Sequence, residues 1–479
     1  LLRLLFFILL FIAHSGYAAF PKVLSLKEAI LLSVRENPNV QQAQLNHVLA
    51  KYDLDLMHWQ FKPHYSLSAN ATTSRNYSVD QAGYVTQNTT GVNLGASWLS
   101  PIGTQVTVAS SNNRSDHYNP GLSLQIMQPL MRGFGRPIVE AELYNAMEGE
   151  YISRLGVEES LRVTVTTVIN SYLDVIAAKK NLNVDTDALA RAEHSVEQTK
   201  IFIQAGSKAG VELVTVEADV ASAKTRIEMD KNAVLQARYA LLTAIGLDPN
   251  TVVEFDSIEV QALIKKYSVP SLEVTKRDAL RNDIQYQTDQ LTIQGSKKRS
   301  LATAEDQTRW QLNLTANAAT GEGTGGGDDN AGINSLINGV NQTNSIGLEL
   351  KIPIDDRSAK NAVNIAKVAL REAEIALQQE KWTKETNAIT AWNNIDSAKR
   401  TVYFAEEAEK LQQKTWNISF QKYEHGLIDS LQLQSAQQQL ISSQQALNIS
   451  QINYLKALVN LDQMRGATLK TWGVEVRYE

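Results

Sequence analysis

The sequence predicts an α+β membrane protein built as two tandem halves, in which very long helices alternate with short runs of strand. Three features carry that expectation: an internal repeat, apolar spacing near 3.5 residues over the long segments, and two-residue alternation between them. Composition leaves room for it. The chain has 479 residues, with 46 Lys+Arg against 51 Asp+Glu, a net charge of -5 and no cysteine. The missing basic excess argues against a nucleic-acid partner. The missing cysteine excludes disulfides, thiolate metal sites and a cysteine nucleophile. With only 10 Pro and 25 Gly, helices can run long without interruption. Charged residues at 20% make the chain too polar for a bundle of membrane-spanning helices.

The first element is a leader. Arg3 precedes an apolar run from Leu4 to Ala13, followed by His14-Ser15-Gly16-Tyr17-Ala18. A positive start, a short apolar core and small residues before the cut read as a signal peptide over 1–18. The run is well short of the ~20 residues that span a bilayer, and no later apolar run is longer. The exported chain is therefore expected in the periplasm, outside the cell, or in an outer membrane as strands.

The repeat sets the remaining order. FIQAGSKAGVELVTVE, beginning at Phe202, matches KYEHGLIDSLQLQSAQ, beginning at Lys422; each has a Gly, a polar turn and an apolar-periodic helix. LQIMQPL at Leu124 matches LELKIPI at Leu348, so that Pro129 aligns with Pro353. Ser25-Leu26-Lys27-Glu28 aligns more weakly with Ser271-Leu272-Glu273-Val274. Each half then reads as a short helix, a strand region, a long helix and a return helix. In the first half these are Ser25 to Phe61 (interrupted near Pro38), strands in 65–130, Glu140 to Ala205, and Gly210 to Leu247. In the second they are Leu272 to Thr308, strands in 310–353, Asp356 to His425, and Ile428 to Arg465. The corresponding domains are 19–64, 65–130 and 131–247, then an equatorial segment at 248–271, then 272–309, 310–353 and 354–465, with a tail at 466–479. At ~1.5 Å per residue the long helices reach roughly 100 Å. A short helix and a return helix end to end match one long helix, and the heptad-like stripes suit lateral coiled-coil packing.

The strand regions alternate cleanly. Tyr65, Leu67, Ala69 and Ala71 alternate with polar residues, as do Val92, Leu94, Ala96 and Trp98. Val106, Val108, Leu122, Leu124 and Ile126 follow the same rule, and so do Trp310, Leu312, Leu314, Ala316, Ile346, Leu348, Leu350 and Ile352. An uncharged apolar face opposite a polar face is the pattern of a membrane β-barrel, which a soluble sheet packed on one side shares. Six such strands, or four if Val92 to Ser111 lies elsewhere, cannot close a barrel in lipid, where an open edge leaves backbone groups unpaired. Several copies must share one barrel, and the residues alone do not choose between three and four.

At this point the chain resembles the TolC-like outer membrane efflux proteins. The resemblance runs from SLKEAILLSVRENPNV at Ser25 to LKALVNLDQMRG at Leu455. Its most specific parts are the duplicated Gly-turn-helix tips and the QPLMRGFG strand exit at Gln128 to Gly135. It implies a homotrimer in which one transmembrane β-barrel, shared by the three chains and embedded in outer-membrane lipid, continues into a long periplasmic α-helical coiled-coil tunnel. It implies docking to a periplasmic adaptor (a membrane fusion protein) and an inner-membrane transporter of the RND, ABC or MFS kind. The duct would pass small molecules in tripartite efflux, or proteins in type I secretion. By the same resemblance, Glu212, Tyr423 and Ile428 map to the periplasmic gate, with Ile428 where the family has an arginine and Lys208 or Lys422 able to stand in. Gln432 and Ser435 map to the aperture constriction in place of paired carboxylates. Gly206-Ser207-Lys208 and Gly426-Leu427-Ile428 map to the adaptor-docking tips, and Pro129, Gly133, Gly135 and Pro353 to the strand-to-helix swivel. The extra hairpin at Gly91 to Ser111 departs from the family's four strands per chain.

Other chemistries lack residues. Seven His are scattered without His-Glu-x-x-His spacing, and there is no nucleophile elbow or phosphate-binding Gly loop, so neither an enzyme nor a cofactor site is expected. The glycines from Gly321 to Gly327, followed by Asp328-Asp329, read as a loop between strands. A non-pore periplasmic coiled-coil adaptor would explain the hairpins but not the duplicated strands. A single-chain porin would need about twice as many strands.

Overall fold

The computed structural model describes residues 23–78, 83–115, 118–256, 260–321, 334, 336–338 and 342–476. The signal peptide over 1–18, the glycine cluster beyond Gly321 and the last three residues lie outside them. In chain order the elements are β1 (Val23–Leu24), α1 (Leu26–Glu36), α2 (Pro38–Trp59), β2 (His64–Ser78), β3 (Gly83–Leu99), β4 (Gln105–Arg114) and β5 (Tyr118–Pro129). Then come α3 (Arg136–Val139), α4 (Ala141–Gln204), α5 (Val211–Ile245), β6 (Glu254–Phe255), α6 (Val260–Ile264), α7 (Leu272–Arg281) and α8 (Ile284–Thr292). A π-helical turn (Ile293–Lys297) leads to α9 (Lys298–Gln307), β7 (Gln311–Gly321), β8 (Thr343–Lys351), α10 (Arg357–Glu424), α11 (Ser430–Met464) and α12 (Thr468–Trp472). None of these helices is long and apolar enough to cross a membrane.

The described residues form two compact units, one drawn from 23–45, 155–284 and 380–476, the other from 46–154 and 285–379.

The first unit is helical, and its core lies where the return helices end. Leu26 and Ile30 of α1, Leu161, Val165, Val168, Ile169 and Leu173 of α4, and Leu241, Leu242 and Ile245 of α5 are all buried there. Leu455, Leu458 and Val459 of α11 and Leu469 and Trp472 of α12 join them. The residues expected as a plain tail thus carry a helix that folds onto this core, with Trp472 Nε1 donating to the Tyr267 hydroxyl at 3.2 Å. β1 and β6 pair in parallel, and the buried Tyr172 hydroxyl ties them by facing Leu24 O at 3.0 Å and Asp256 O at 2.9 Å.

The repeat recurs here in bond-by-bond detail. α5 ends at Gly246 (φ 95) and α11 just before Gly466 (φ 69), and both ends make the paired 6→1 and 5→2 bonds of a left-handed helix cap. Asn37 donates to Ala244 O at 2.7 Å, and Asn282 donates to Arg465 O at 2.7 Å. Each Asn ends its own short helix and satisfies a terminal carbonyl of the adjacent return helix. The two copies differ where the sequences differ. Ser25 and Glu28 form a reciprocal capping box at the start of α1, whereas Ser271 makes no side-chain cap and Val274 has no carboxylate to return the bond.

The expected single helix from Leu272 to Thr308 is interrupted twice. It breaks at Asn282, whose side chain and carbonyl are engaged by Arg465 O and Arg162. It then widens into the π turn at Gly295, where the Glu148 carboxylate occupies the space that a Cβ would need.

The second unit carries one six-stranded antiparallel sheet in the order β2-β3-β4-β5-β7-β8. The hairpin at Gly91 to Ser111 belongs to this sheet, which therefore has six strands among the described residues. Four strands come from the first half and two from the second, joined by β5 against β7 through pairs such as Ile126↔Ala316. β2 and β8 are the sheet's edges. Directly paired residues share a face, so one row reads Trp98, Val106, Ile126, Ala316, Ile346 and the next reads Ala96, Val108, Leu124, Ala318. The opposite face carries Thr107, Gln125, Asn317 and Ser345.

Candidate functional site

Both helical hairpins turn with the same chemistry. Gly206 (φ 74) and Gly426 (φ 68) adopt the left-handed conformation that glycine tolerates. Ser207 N donates to Phe202 O at 2.8 Å and Gly206 N to Ile203 O at 3.0 Å. Leu427 N donates to Lys422 O at 2.8 Å and Gly426 N to Tyr423 O at 2.9 Å. The tips are two copies of one cap, each closing the carbonyl end of a long helix. After the second tip, Asp429 caps α11 by accepting from Gln432 N at 2.7 Å.

Between the tips sits Lys208. Its side chain is 7% exposed, and its Nζ lies 3.2 Å from Glu212 Oε2 and 3.3 Å from Ile428 O. The same ammonium lies 3.5 Å from the centroid of the Tyr423 ring. Glu212 Oε2 also accepts from Ser430 N at 3.3 Å, which places a carboxylate on the first turn of α11. Within one chain Lys208 Nζ contacts both the Glu212 carboxylate and the Tyr423 ring, and no hydrogen bond joins Glu212 to Tyr423 among the described residues. Tyr423 is fully buried, its hydroxyl 2.5 Å from Thr199 Oγ1. Thr199 spends its own proton on Ser195 O at 2.7 Å, so the tyrosine is the donor. Phe202 meets the Tyr423 ring edge-on at 5.9 Å. Ile428 enters the site through its backbone carbonyl rather than its side chain.

Gln432 and Ser435 lie on the exposed face of α11, while Leu433, Ala436, Gln437 and Leu440 form its buried face. The first hairpin holds a buried carboxylate farther from its tip. Asp185 of α4 accepts from Arg226 Nε of α5 at 3.0 Å and from Gln445 Nε2 of α11 at 3.2 Å. Asp230 of α5 lies beside it. Burial first, then the hydrogen bond and charge of Asp185, push the Asp230 carboxyl up to about 6.

The predicted swivel residues part company. Gly133 (φ 78) donates its N–H to Asp306 Oδ2 at 2.8 Å, and Gly135 (φ 96) donates to Ile102 O at 3.2 Å. Pro129 ends β5, beyond which Leu130 N still reaches Leu312 O at 2.7 Å. The second exit has no glycine: Pro353 follows β8, and Asp356 accepts from Ala359 N at 2.9 Å to start α10.

Sequence reasoning missed Thr199, Asp429 and the Asp185 cluster. Asp429 was readable as an acidic residue just before an apolar-periodic run. Thr199 and Asp185 carried no signal, being single polar residues within a long helix. Among the described residues no group of three or more His, Asp or Glu is placed to hold a metal ion.

Residues 30–247 and 278–467 match the family model described as outer membrane efflux protein. The chain belongs to that family. As an outer membrane efflux protein it is a protein of the outer membrane, and its fold recurs in solved channels of low sequence identity. The Campylobacter jejuni CmeC outer membrane channel is 14% identical, over 92% of this chain and 86% of that one, with a TM-score of 0.67. The Neisseria gonorrhoeae MtrE outer membrane channel, crystallised in its open state, is 17% identical over 93% and 89%, with a TM-score of 0.68. The Vibrio cholerae outer membrane protein VceC is 15% identical over 94% and 97%, with a TM-score of 0.65. No curated protein matches this efflux protein in sequence.

Proposed function

We propose that the protein is the outer-membrane exit duct of a tripartite efflux or type I secretion system, assembled as a homotrimer. The observation that carries this reading is the six-stranded sheet with two open edges, β2 and β8, and one apolar face. In lipid such edges must pair, and a neighbouring copy of the same chain supplies the missing strand. From Tyr65 to Tyr77 is roughly 40 Å of strand at ~3.4 Å per residue. That is roughly 30 Å of height at a ~40° tilt, long enough to cross a ~25 Å apolar band. The helices leave unburied stripes as well. Leu45, Leu49, Tyr52, Leu56 and Trp59 on α2 recur at heptad spacing and are exposed, as are Val368, Ile375, Trp382 and Ile389 on α10. Lateral packing between copies would bury them and close a periplasmic tunnel.

The tips are the docking end of that tunnel in this reading. Val211, Val214, Leu427 and Leu431 stand exposed around Gly206 and Gly426, an apolar surface for a periplasmic adaptor that links the duct to an inner-membrane RND, ABC or MFS transporter. Lys208 takes the part of the absent gate arginine, holding Glu212 and the Ile428 carbonyl together in the resting tip. The neutral Gln432 and Ser435 leave the aperture weakly attractive to cations. Mass measurement of the detergent-solubilised protein, with conductance in planar bilayers, tests the proposal. Three chains forming a conducting pore are expected, and a stable folded monomer in lipid would overturn it.

A further inference from the structure

The loop end of β2 and β3 carries a feature that conduction does not require. On the apolar face, Tyr65, Leu67, Ala69 and Ala71 of β2 pair with Ala96, Leu94, Val92 and Thr90 of β3. The same face continues toward the loop as Thr73, Arg75 and Tyr77 opposite Asn88, Thr86 and Tyr84. The apolar band therefore stops while the two strands run on together. Arg75 is exposed and folds diagonally across the ladder, its guanidinium carbon 4.6 Å from the centroid of the Tyr84 ring. Tyr84 in turn meets Tyr77 edge-to-face at 5.4 Å, and the two tyrosines remain 65% and 60% exposed. Neither strand contains an aspartate or a glutamate, and no ion pair to Arg75 is formed among the described residues.

We infer that Arg75, Tyr77 and Tyr84 form a binding site for the phosphorylated saccharide headgroup of an outer-leaflet glycolipid. The inference rests on the proposed reading that this face meets lipid and that the loop end points outward. Charge complementarity and continuity with the apolar band select the occupant. Acyl chains lie against Leu67, Leu94 and Val92, so the headgroup of the same lipid falls at the height of Arg75. A guanidinium presents a planar fork that matches two phosphate oxygens, which an ammonium cannot do. Stacking on Tyr84 holds that fork in one orientation while leaving its outer edge free. The tyrosines flank it with flat apolar faces and hydroxyl tips, the combination suited to a sugar ring carrying hydroxyls. A zwitterionic phospholipid has no sugar for these rings, and its own ammonium competes for the phosphate.

The test uses the full chain, purified in detergent and titrated with three probes: a bisphosphorylated glucosamine-disaccharide lipid, its dephosphorylated form, and phosphatidylglycerol. Native mass spectrometry counts the lipids retained per assembly. Retention should favour the bisphosphorylated glycolipid over both others. Arg75→Gln should weaken it about tenfold, as loss of a charge-assisted hydrogen bond does. Arg75→Lys should fall between, and trimer mass and conductance should be unchanged in both variants. Equal retention of phosphatidylglycerol, or an unaltered affinity in Arg75→Gln, would overturn the site. Absence of a trimer or of conductance in the unmodified protein would instead overturn the proposed function, so the two failures are separable.

Discussion

Lys208 lies over the ring of Tyr423, its ammonium 3.5 Å from the ring centroid, and joins the two helical tips through residues that are far apart in sequence. The geometry gives one cation four partners at once: the Tyr423 face, the more distant Phe202 ring at 5.6 Å, the Glu212 carboxylate and the Ile428 carbonyl. Because the lysine is almost completely removed from water, each of these contacts is worth more than it would be on an open surface.

The first expectation follows from that contact. Lys208→Met should weaken the tip by about 2 kcal/mol, the scale of one desolvated cation–π contact with a charged hydrogen bond. In planar bilayers the variant should conduct better at rest, and Lys208→Arg should stay near the unmodified level. Tyr423→Phe removes only the bond to Thr199, so it should cost about 1 kcal/mol and change conductance little. An unchanged current in Lys208→Met would remove Lys208 from the gate.

Glycines with similar φ should respond differently to Ala. Gly206 has nothing within 4 Å of an added Cβ, whereas at Gly246 the Cβ would fall 2.5 Å from Glu36 O. Gly206→Ala should cost about 1–2 kcal/mol, the strain of the left-handed conformation alone. Gly246→Ala adds a backbone clash at the junction of α1 and α5 and should cost about 3 kcal/mol or more. Thermal unfolding of the two variants side by side measures the difference.

The Asp185–Asp230 pair predicts a pH dependence with a definite sign. Asp230 titrates near 6 in the folded protein, above its ordinary value of 3.8. Between those values the folded state holds a proton that the unfolded chain releases, so stability falls as pH rises through that window and levels off above it. The groups facing the pair are Arg226 of α5, Arg191 of α4, whose charge acts on Asp185, and Gln445 of α11 through Asp185. Asp230→Asn should flatten the dependence and raise Tm at pH 7 by about 2–4 °C, a modest shift because Asp230 is only partly buried. Parallel melting curves at pH 4.5 and pH 7 decide it. Equal pH slopes for the two proteins would show that the pair does not titrate as described.

The absence of cysteine makes the open sheet edges directly testable. Single cysteines placed along β2 and β8 in pairs should form disulfides between copies and give a covalent ladder up to trimers on denaturing gels. Matched pairs on β4 and β5, which are already neighbours, should crosslink only within a chain. A β2–β8 bond found solely within one chain would mean that the sheet closes on itself.

The sequence alone determined most features that depend on local period, the breaks at Asn282 and Gly295 within the helix expected from Leu272 to Thr308 being the exceptions. The alternation of Leu67, Ala69 and Ala71 marked a strand, the heptad-like stripes of Glu140 to Ala205 and Asp356 to His425 marked long helices, and the duplicated Gly-turn-helix segments located both tips. The tertiary structure decided whatever depends on which distant residues meet. It gave Thr199 to the Tyr423 hydroxyl and set Lys208 against both tips. It placed Asp185 against Arg226 and Gln445, and it used Asn37 and Asn282 to close helices from the opposite end of each repeat. The physical reason is range. Backbone conformation and side-chain periodicity are fixed by neighbours within a turn or two, so they leave a pattern along the chain. The partner of a buried polar group is fixed by packing between helices whose contacting residues lie from about forty to more than two hundred positions apart, and a single Thr or Asp within a helix leaves no pattern that could name it.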